Sequence, residues 1–296
     1  MPECVESAAR AGSDVEVIVV DDASTDETAI VCKRLQNIKY VRLERNQGVA
    51  GARNVGILAS QTNYVAFLDD DDLRLPGSLD HQRSLLESSA NAGFVAGGVL
   101  LADQNRTLTG EIAIPRAESG DVFWQVLELG VHLIAGSVLI RKSCFLEIGM
   151  FNRQLAGIDD WDMCTRIAAV RPVILDDQPV CIYRSATPYS GQGSSQQGRH
   201  LYSAIKHQPQ LLALPRAKKA SQRLRKSIRK NTKRRVADTL SWRAAEELAR
   251  GEFQFAASNF LHALRISPLW AARPTHAKVF LSGVISRRKR YSTGAV

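Results

Sequence analysis

Residues 64–76 read YVAFLDDDDLRLP: an apolar, aromatic run, four consecutive aspartates, then a proline. The first six residues have the composition of a strand, and Pro76 predicts that a helix opens beside it. Like charges this close repel, so gathering Asp69–Asp72 costs free energy unless a cation or hydrogen-bond donors offset it. A solvated loop with a helix cap accounts for one or two such acids. Hard cations such as Mg²⁺ or Mn²⁺, which prefer carboxylate oxygens, offer an account of all four.

Working outward, strand and helix patterns alternate from residue 16 to about 184. Residues 16–20 (EVIVV) form a buried-strand run that ends in Asp21-Asp22. Ser24 followed by Glu27 is a capping-box pattern and predicts a helix to about residue 36. Residues 38–43 read as a strand, 48–60 as a helix, 76–88 as a helix and 93–102 as another strand. Further on, 133–142 reads as a strand, and 158–167 (IDDWDMCTRI) as a helix with acids in its first turn. Two closing strands are expected at 172–175 and 179–184, then a polar loop at 189–197. This order implies an α/β fold built on a mostly parallel sheet with helices on both faces. Ligands of such sheets bind at the carboxyl ends of strands, where Asp21-Asp22 and Asp69–Asp72 both fall.

Beyond about residue 201 the pattern is helical. Residues 243–267 suggest a helical hairpin broken at Gly251 and stopped by Pro268, present in a single copy. Residues 206–296 are therefore expected to form a basic helical region following a first domain at 1–205. The formal charge of +9 is concentrated there: residues 216–235 hold 11 Lys and Arg and no acid, leaving 28 bases against 30 acids elsewhere. A smaller echo is Arg287-Arg288-Lys289-Arg290. Such a run suits an anionic membrane surface, nucleic acid or plain solvent. It has no interleaved aromatic, which weakens a single-strand nucleic-acid reading, and its apolar stripe is sparse. Loose contact with anionic lipid headgroups is the favoured reading. No apolar run reaches the ~18 residues that cross a bilayer, and no secretion signal opens the chain. The five cysteines are scattered without CxxC spacing, which argues against a zinc site or a disulfide framework and suits a reducing cytoplasm.

Taken together, VIVVDDASTDET, RNQGVAGARNVGILAS, YVAFLDDDDLRLP, VLIRKSCFLEIGMFN, IDDWDMCTRIA and IYR resemble the family 2 glycosyltransferases of the GT-A fold over roughly the first 184 residues. The resemblance implies an inverting transfer from a nucleotide-diphospho-sugar, usually a UDP-sugar, to an acceptor hydroxyl in envelope or exopolysaccharide synthesis. Asp22 would bind the nucleotide base and Arg53 would lie on the nucleotide side. The family's DxD motif falls on Asp69-Asp70-Asp71: Asp71 would hold the divalent metal (Mn²⁺ or Mg²⁺), and Asp69 or Asp70 would face the ribose. Asp160 matches the catalytic base. Asp159 stands where a Glu is more usual, and Trp161 would border the acceptor pocket. A carbohydrate or lipid-linked acceptor, met at the inner face of the membrane, follows from the same resemblance.

Three departures from the family stand out. Its usual opening strand, of the type VSVIIPTYN, has no counterpart before Met1-Pro2-Glu3-Cys4. The loss of an interior strand would expose its neighbours' backbone and half the base pocket. A start set too late and a degraded, non-catalytic GT-A binding module are the two explanations. The His that often follows the closing strand is replaced by Ser185 and Ala186, with His200 and His207 further on, which leaves a third metal ligand unassigned. A QxxRW motif is missing, which favours a single-sugar transferase over a polymer synthase. Selectivity for sugar and acceptor is expected in loops such as 104–116.

Overall fold

A computed structural model describes residues 1–131, 133–185 and 194–268, which fall into two compact units: 1–126 with 131–185, and 127–130 with the chain from 186 onward. In chain order the first unit contains α1 (Pro2–Ala9), β1 (Val17–Asp21), α2 (Thr28–Cys32), β2 (Ile38–Arg42), α3 (Gly48–Ala59), β3 (Tyr64–Ala66), β4 (Leu73–Arg74), α4 (Ser78–Ser88), β5 (Phe94–Ala102) and β6 (Leu108–Ala113). After α5 (Phe123–Leu127) and a 3-10 turn come β7 (Val138–Arg141), α6 (Cys144–Ile148), α7 (Asp159–Ala168) and β8 (Val173–Arg184).

The strands form two sheets. β1 and β2 pair in parallel, and a six-stranded sheet runs β3-β7-β5-β8-β4 with β6 added to β5. The α/β class holds, but the pairing is more mixed than strand–helix alternation implies. β5 is parallel to β8, whereas β3–β7, β5–β7, β4–β8 and β5–β6 are antiparallel. Among the described residues β1 pairs only with β2 and β3 only with β7, so each keeps one open edge.

The apolar run of β5 becomes the centre of the larger sheet because it is flanked on both sides and buried over its first six residues. Its two glycines permit close approach of β8: a Cβ at Gly97 would meet the Val180 side chain at 2.6 Å, and one at Gly98 the Asp177 carbonyl at 2.9 Å. Val95 packs with Leu86, Ala92 and Leu139, all at most 4% exposed, so α4 closes over β5 and β7.

Several expected elements differ. The helix foreseen from residue 24 starts only at Thr28, after Asp21 Oδ1 accepts the Ser24 N–H (2.8 Å) and Asp26 Oδ1 accepts the Thr28 N–H (3.0 Å). Asp21 thus takes the Ser24 amide that Glu27 would have served in the box, and Asp26 takes the Thr28 amide one residue beyond it. The two expected closing strands are one strand, β8, whose pairing with β5 shifts register around Gly98. Residues 104–116, expected as a loop, contain the edge strand β6. The expected loop at 189–197 lies outside the described residues as far as 193; its last four residues begin a helix. All five cysteines are free and buried.

The second unit consists of α8 (Ser194–Leu211), α9 (Pro215–Lys218), α10 (Gln222–Ala249) and α11 (Phe253–Ile266), with residues 127–130 packed among them. The chain therefore divides after Ser185, and α8, which spans the boundary expected at 205, goes with the C-terminal helices. The hairpin broken at Gly251 is α10–α11. Its core is Val236, Ala237, Leu240, Ala263 and Ile266, against which Leu129, Leu201, Ile205 and Phe260 pack. The echo at Arg287–Arg290 lies outside the described residues.

Candidate active site

The acid run after β3 meets the first turn of α7 through one arginine, while the acids at the tip of β1 are held by partners on β2 and at the start of α3. Asp21, buried at the end of β1, accepts hydrogen bonds from Tyr40 Oη (2.6 Å) and Arg42 Nη1 (2.8 Å). Burial alone would raise its pKa, but these donors and Ser24 outweigh it and hold the carboxyl below the usual range. Asp22 faces the other way and caps α3. Its two oxygens accept the backbone N–H groups of Gln47 (2.7 Å) and Gly48 (2.8 Å). Ala23, next along, has φ of 61°, a left-handed conformation that turns the chain sharply off the strand.

The acid run divides by environment. Asp70 is exposed, Asp69 and Asp71 are half-buried, and Asp72 is buried. Asp69 Oδ1 accepts from Arg53 Nη2 (3.0 Å). Arg184, at the end of β8, grips the next two acids: its guanidinium donates to Asp71 Oδ2 (2.6 Å) and its backbone N–H to Asp72 Oδ1 (2.8 Å). Burial, with the charges of Asp69 and Asp71 added, pushes Asp72 up to about 7 against the Arg184 N–H. The self-repulsion of the run is thus offset within the chain by two guanidiniums and a backbone amide.

On α7, Asp159 is 3% exposed and accepts from Arg53 Nη1 (2.9 Å). Burial raises its pKa, opposed by that arginine. Asp160 is pushed up to about 6 by burial and by its neighbour Asp159, while Arg53 and the Trp161 N–H act the other way. That N–H donates to Asp160 Oδ1 (2.7 Å). Trp161 is buried, and its indole Nε1–H donates to the Val126 carbonyl (2.8 Å), pinning α7 to the end of α5. Arg166 fixes the helix from the far side through Asp162 and the carbonyls of Ile148 and Met150.

The structure therefore brings Arg53, Asp69, Asp159 and Asp160 into one cluster, with Asp70 and Asp71 on the same short loop as Asp69. Asp22 lies at the β1 tip, bound to the start of the helix that carries Arg53. Nothing in the sequence marks Arg184 beyond its place in IYR; a lone arginine after a strand gives no sign of a partner 113 positions away. Among the described residues no group of three or more His, Cys, Asp or Glu is arranged to hold a metal ion. Asp71 and the exposed Asp70 still fit a hard divalent cation chemically. Such ions are often held by one or two carboxylates together with a substrate's phosphate oxygens.

The model of the family described as Glycosyl transferase family 2 matches residues 1–120. A protein of Rickettsia felis named as an uncharacterized glycosyltransferase is 29% identical over 223 residues, covering 70% of this chain and 36% of the relative. The succinoglycan biosynthesis protein ExoU of Rhizobium meliloti is 34% identical over 183 residues, covering 56% of this chain and 52% of the relative. The chain thus spans about a third to about half the length of these relatives. The solved structure of S. aureus TarS 1-349 in complex with UDP-GlcNAc shares the fold, with a TM-score of 0.54 at 14% identity over 90% of this chain and 87% of that one. Residues 1–120 thus match glycosyl transferase family 2, and the chain has the GT-A fold.

Proposed function

We propose that the chain is an inverting glycosyltransferase that moves a sugar from a nucleotide-diphospho-sugar, a UDP-sugar in the first instance, to an acceptor hydroxyl. The observation that carries this reading is the joining of Asp69 and Asp159 by one guanidinium, which puts the acid run and the start of α7 at one site. The donor would lie along Asp22, Asp69 and Asp70, with Arg53 behind them. A divalent Mn²⁺ or Mg²⁺ ion held by Asp71 would supply positive charge to the departing diphosphate.

Asp160 would take the proton of the acceptor hydroxyl. Its Oδ1 is occupied by the Trp161 N–H, so Oδ2 is the oxygen available to receive it. A base is effective when its pKa lies near working pH and it is still ionised; a carboxyl raised to about 6 meets both conditions at neutral pH. Asp159 and Trp161 would form the acceptor side, the first by its charge and the second by anchoring α7. Direct displacement at the anomeric carbon inverts its configuration. The acceptor would be a carbohydrate or lipid-linked alcohol in envelope or exopolysaccharide synthesis, a reading that ExoU's name supports.

Peripheral contact with the inner face of an anionic membrane belongs to the same proposal. On α10, Arg223, Lys226, Arg229, Lys230, Lys233 and Arg234 are exposed, opposite the buried Ile228, Thr232 and Val236. The outward face offers charge without an apolar wedge, so contact would be electrostatic rather than inserted. Among the described residues no helix is long and apolar enough to cross a membrane.

A second reading, a GT-A-fold module that binds without catalysis, is favoured by one observation: both oxygens of Asp22 already serve the backbone of α3. Calorimetry with UDP-sugars and Mn²⁺, paired with a transfer assay, separates the two. Binding with transfer supports the enzyme, binding without transfer supports the module, and no binding defeats both.

A further inference from the structure

We infer that Arg53 is a positioning residue: it locks the loop after β3 to the first turn of α7 and acts on the reaction through Asp69 and Asp159 rather than by touching the donor. This rests on the functional reading above but departs from the place on the nucleotide side that family resemblance gives this arginine.

The geometry is that of a strut. Two nitrogens of one planar fork bind two carboxylates, Asp69 16 residues along the chain and Asp159 106 residues along it. The Arg53 side chain is 11% exposed and Asp159 4%, so that arm of the bridge is largely shielded from water, whereas the Asp69 end is 44% exposed. The guanidinium lies 5.8 Å from the Phe67 ring centroid and 5.7 Å from that of Phe151, which stand edge to face with each other. Asn54, next on α3, clamps the Phe151 backbone in both directions: Nδ2 donates to its carbonyl (3.0 Å) and Oδ1 accepts its N–H (2.9 Å). Two successive residues of α3 therefore fix the wall before α7 and α7 itself. Both outer nitrogens are engaged, so each arm of the fork is aimed at a protein carboxylate. A lysine, a point donor on a flexible stem, would hold the two carboxylates less rigidly than the planar fork does.

The electrostatic consequence falls on Asp160. The groups facing it are Asp159 and Cys164 on its own helix, Arg53 from α3 and Asp69 after β3. Arg53 is the cation among them. Without it, the carboxylates of Asp69, Asp159 and Asp160 would face one another with no cation between them, and Asp160 would hold its proton to higher pH.

The test uses Arg53→Met and Arg53→Lys in the full chain, with three readouts: UDP affinity by calorimetry, the pH dependence of kcat, and titration of the α7 carboxyls by ¹³C NMR without ligand. For Arg53→Met the expected result is UDP affinity within about 3-fold of the parent. The Asp160 midpoint should rise by about one unit, as loss of a nearby opposite charge requires. The acid limb of kcat should move with it, and Arg53→Lys should fall between parent and Met. An unmoved NMR midpoint overturns the inference whether or not the parent transfers sugar. So does a fall of more than about 10-fold in UDP affinity with kcat unchanged, which would make Arg53 a donor ligand. A parent that transfers nothing while the midpoint still moves defeats the functional reading alone. Should Arg53→Met fail to fold, Arg53→Lys decides: parent-like kcat and midpoint overturn the inference.

Discussion

In the first unit Asp21, Asp69, Asp71, Asp72, Asp159 and Asp162 each accept a hydrogen bond from an arginine, a tyrosine or a backbone amide at 2.6–3.0 Å, and four of the six are buried. In the second unit six cations of α10 stand exposed on one helix face. The comparison shows what net charge conceals. Charge that is expensive to bury is tied down residue by residue where chemistry needs fixed geometry. Charge in excess is left in water, where its field reaches about a Debye length and depends on salt. Substitutions in the first set should change rates or stability by large factors; those in the second should change neither, and should alter only adhesion.

The largest effect is expected at Asp160. Asp160→Asn keeps the shape and the hydrogen bond from Trp161 but cannot take a proton, so kcat should fall by about 10²–10⁴-fold with UDP-sugar binding retained. In the parent the base must be ionised, so kcat should rise with pH through about 6 and level off above it. Transfer by Asp160→Asn within tenfold of the parent, or an acid limb near 4, would remove Asp160 from the mechanism.

Next in size is Arg166→Ala, which tests whether acids in this unit depend on their partners. Arg166 Nε holds the buried Asp162 (2.8 Å), and its outer nitrogens hold the carbonyls of Ile148 (2.7 Å) and Met150 (3.0 Å). Its removal takes the guanidinium away from a buried carboxylate and should cost about 3 kcal/mol of unfolding free energy. A chemical-denaturation midpoint unchanged from the parent would show that Asp162 finds other compensation.

How much of this was legible in the sequence follows from range. β1, β2, α3, β5 and α7 lie close to where the pattern puts them, because a buried strand or amphipathic helix writes its period locally. The acid run reads directly because four adjacent carboxylates demand an account. β6 does not: its residues are mostly exposed, so it carries no alternation, and only β5 makes it a strand. The brackets that complete the site are long-range. Arg53 to Asp159 and Arg184 to Asp71 join elements more than 100 residues apart, and nothing near either arginine names its partner. Resemblance supplied the candidate residues; folding supplied the arginines' grip on them.

A smaller effect is expected at Glu128, which lets the basic run be tested inside its own unit. Glu128 Oε1 accepts from Arg235 (3.2 Å) and Oε2 from Asn231 (2.8 Å), fixing residues 127–130 to α10. Glu128→Ala should lower stability by about 1 kcal/mol, the ordinary net value of such contacts. A loss of several kcal/mol would mean that cations of α10, too, are bound into structure, and the contrast between the units would weaken.

The smallest change in stability and rate is expected where the charge is greatest. Reversing Lys226, Arg229, Lys230 and Lys233 to Glu alters exposed positions on the face opposite Ile228 and Thr232, so unfolding free energy should move by less than about 0.5 kcal/mol per site. Transfer to a soluble acceptor should stay at the parent's rate. Co-sedimentation with phosphatidylserine vesicles should be lost, whereas the parent's binding should weaken steeply with salt and vanish on neutral lipid. Nucleic acid is the competing polyanion: if duplex DNA binds the parent more tightly than the vesicles do, the cationic face belongs to that partner instead. If neither binds, the face is solvated surface. The active unit would then meet its acceptor without help from α10, because adhesion is the single property that separates these exposed charges from the bound ones.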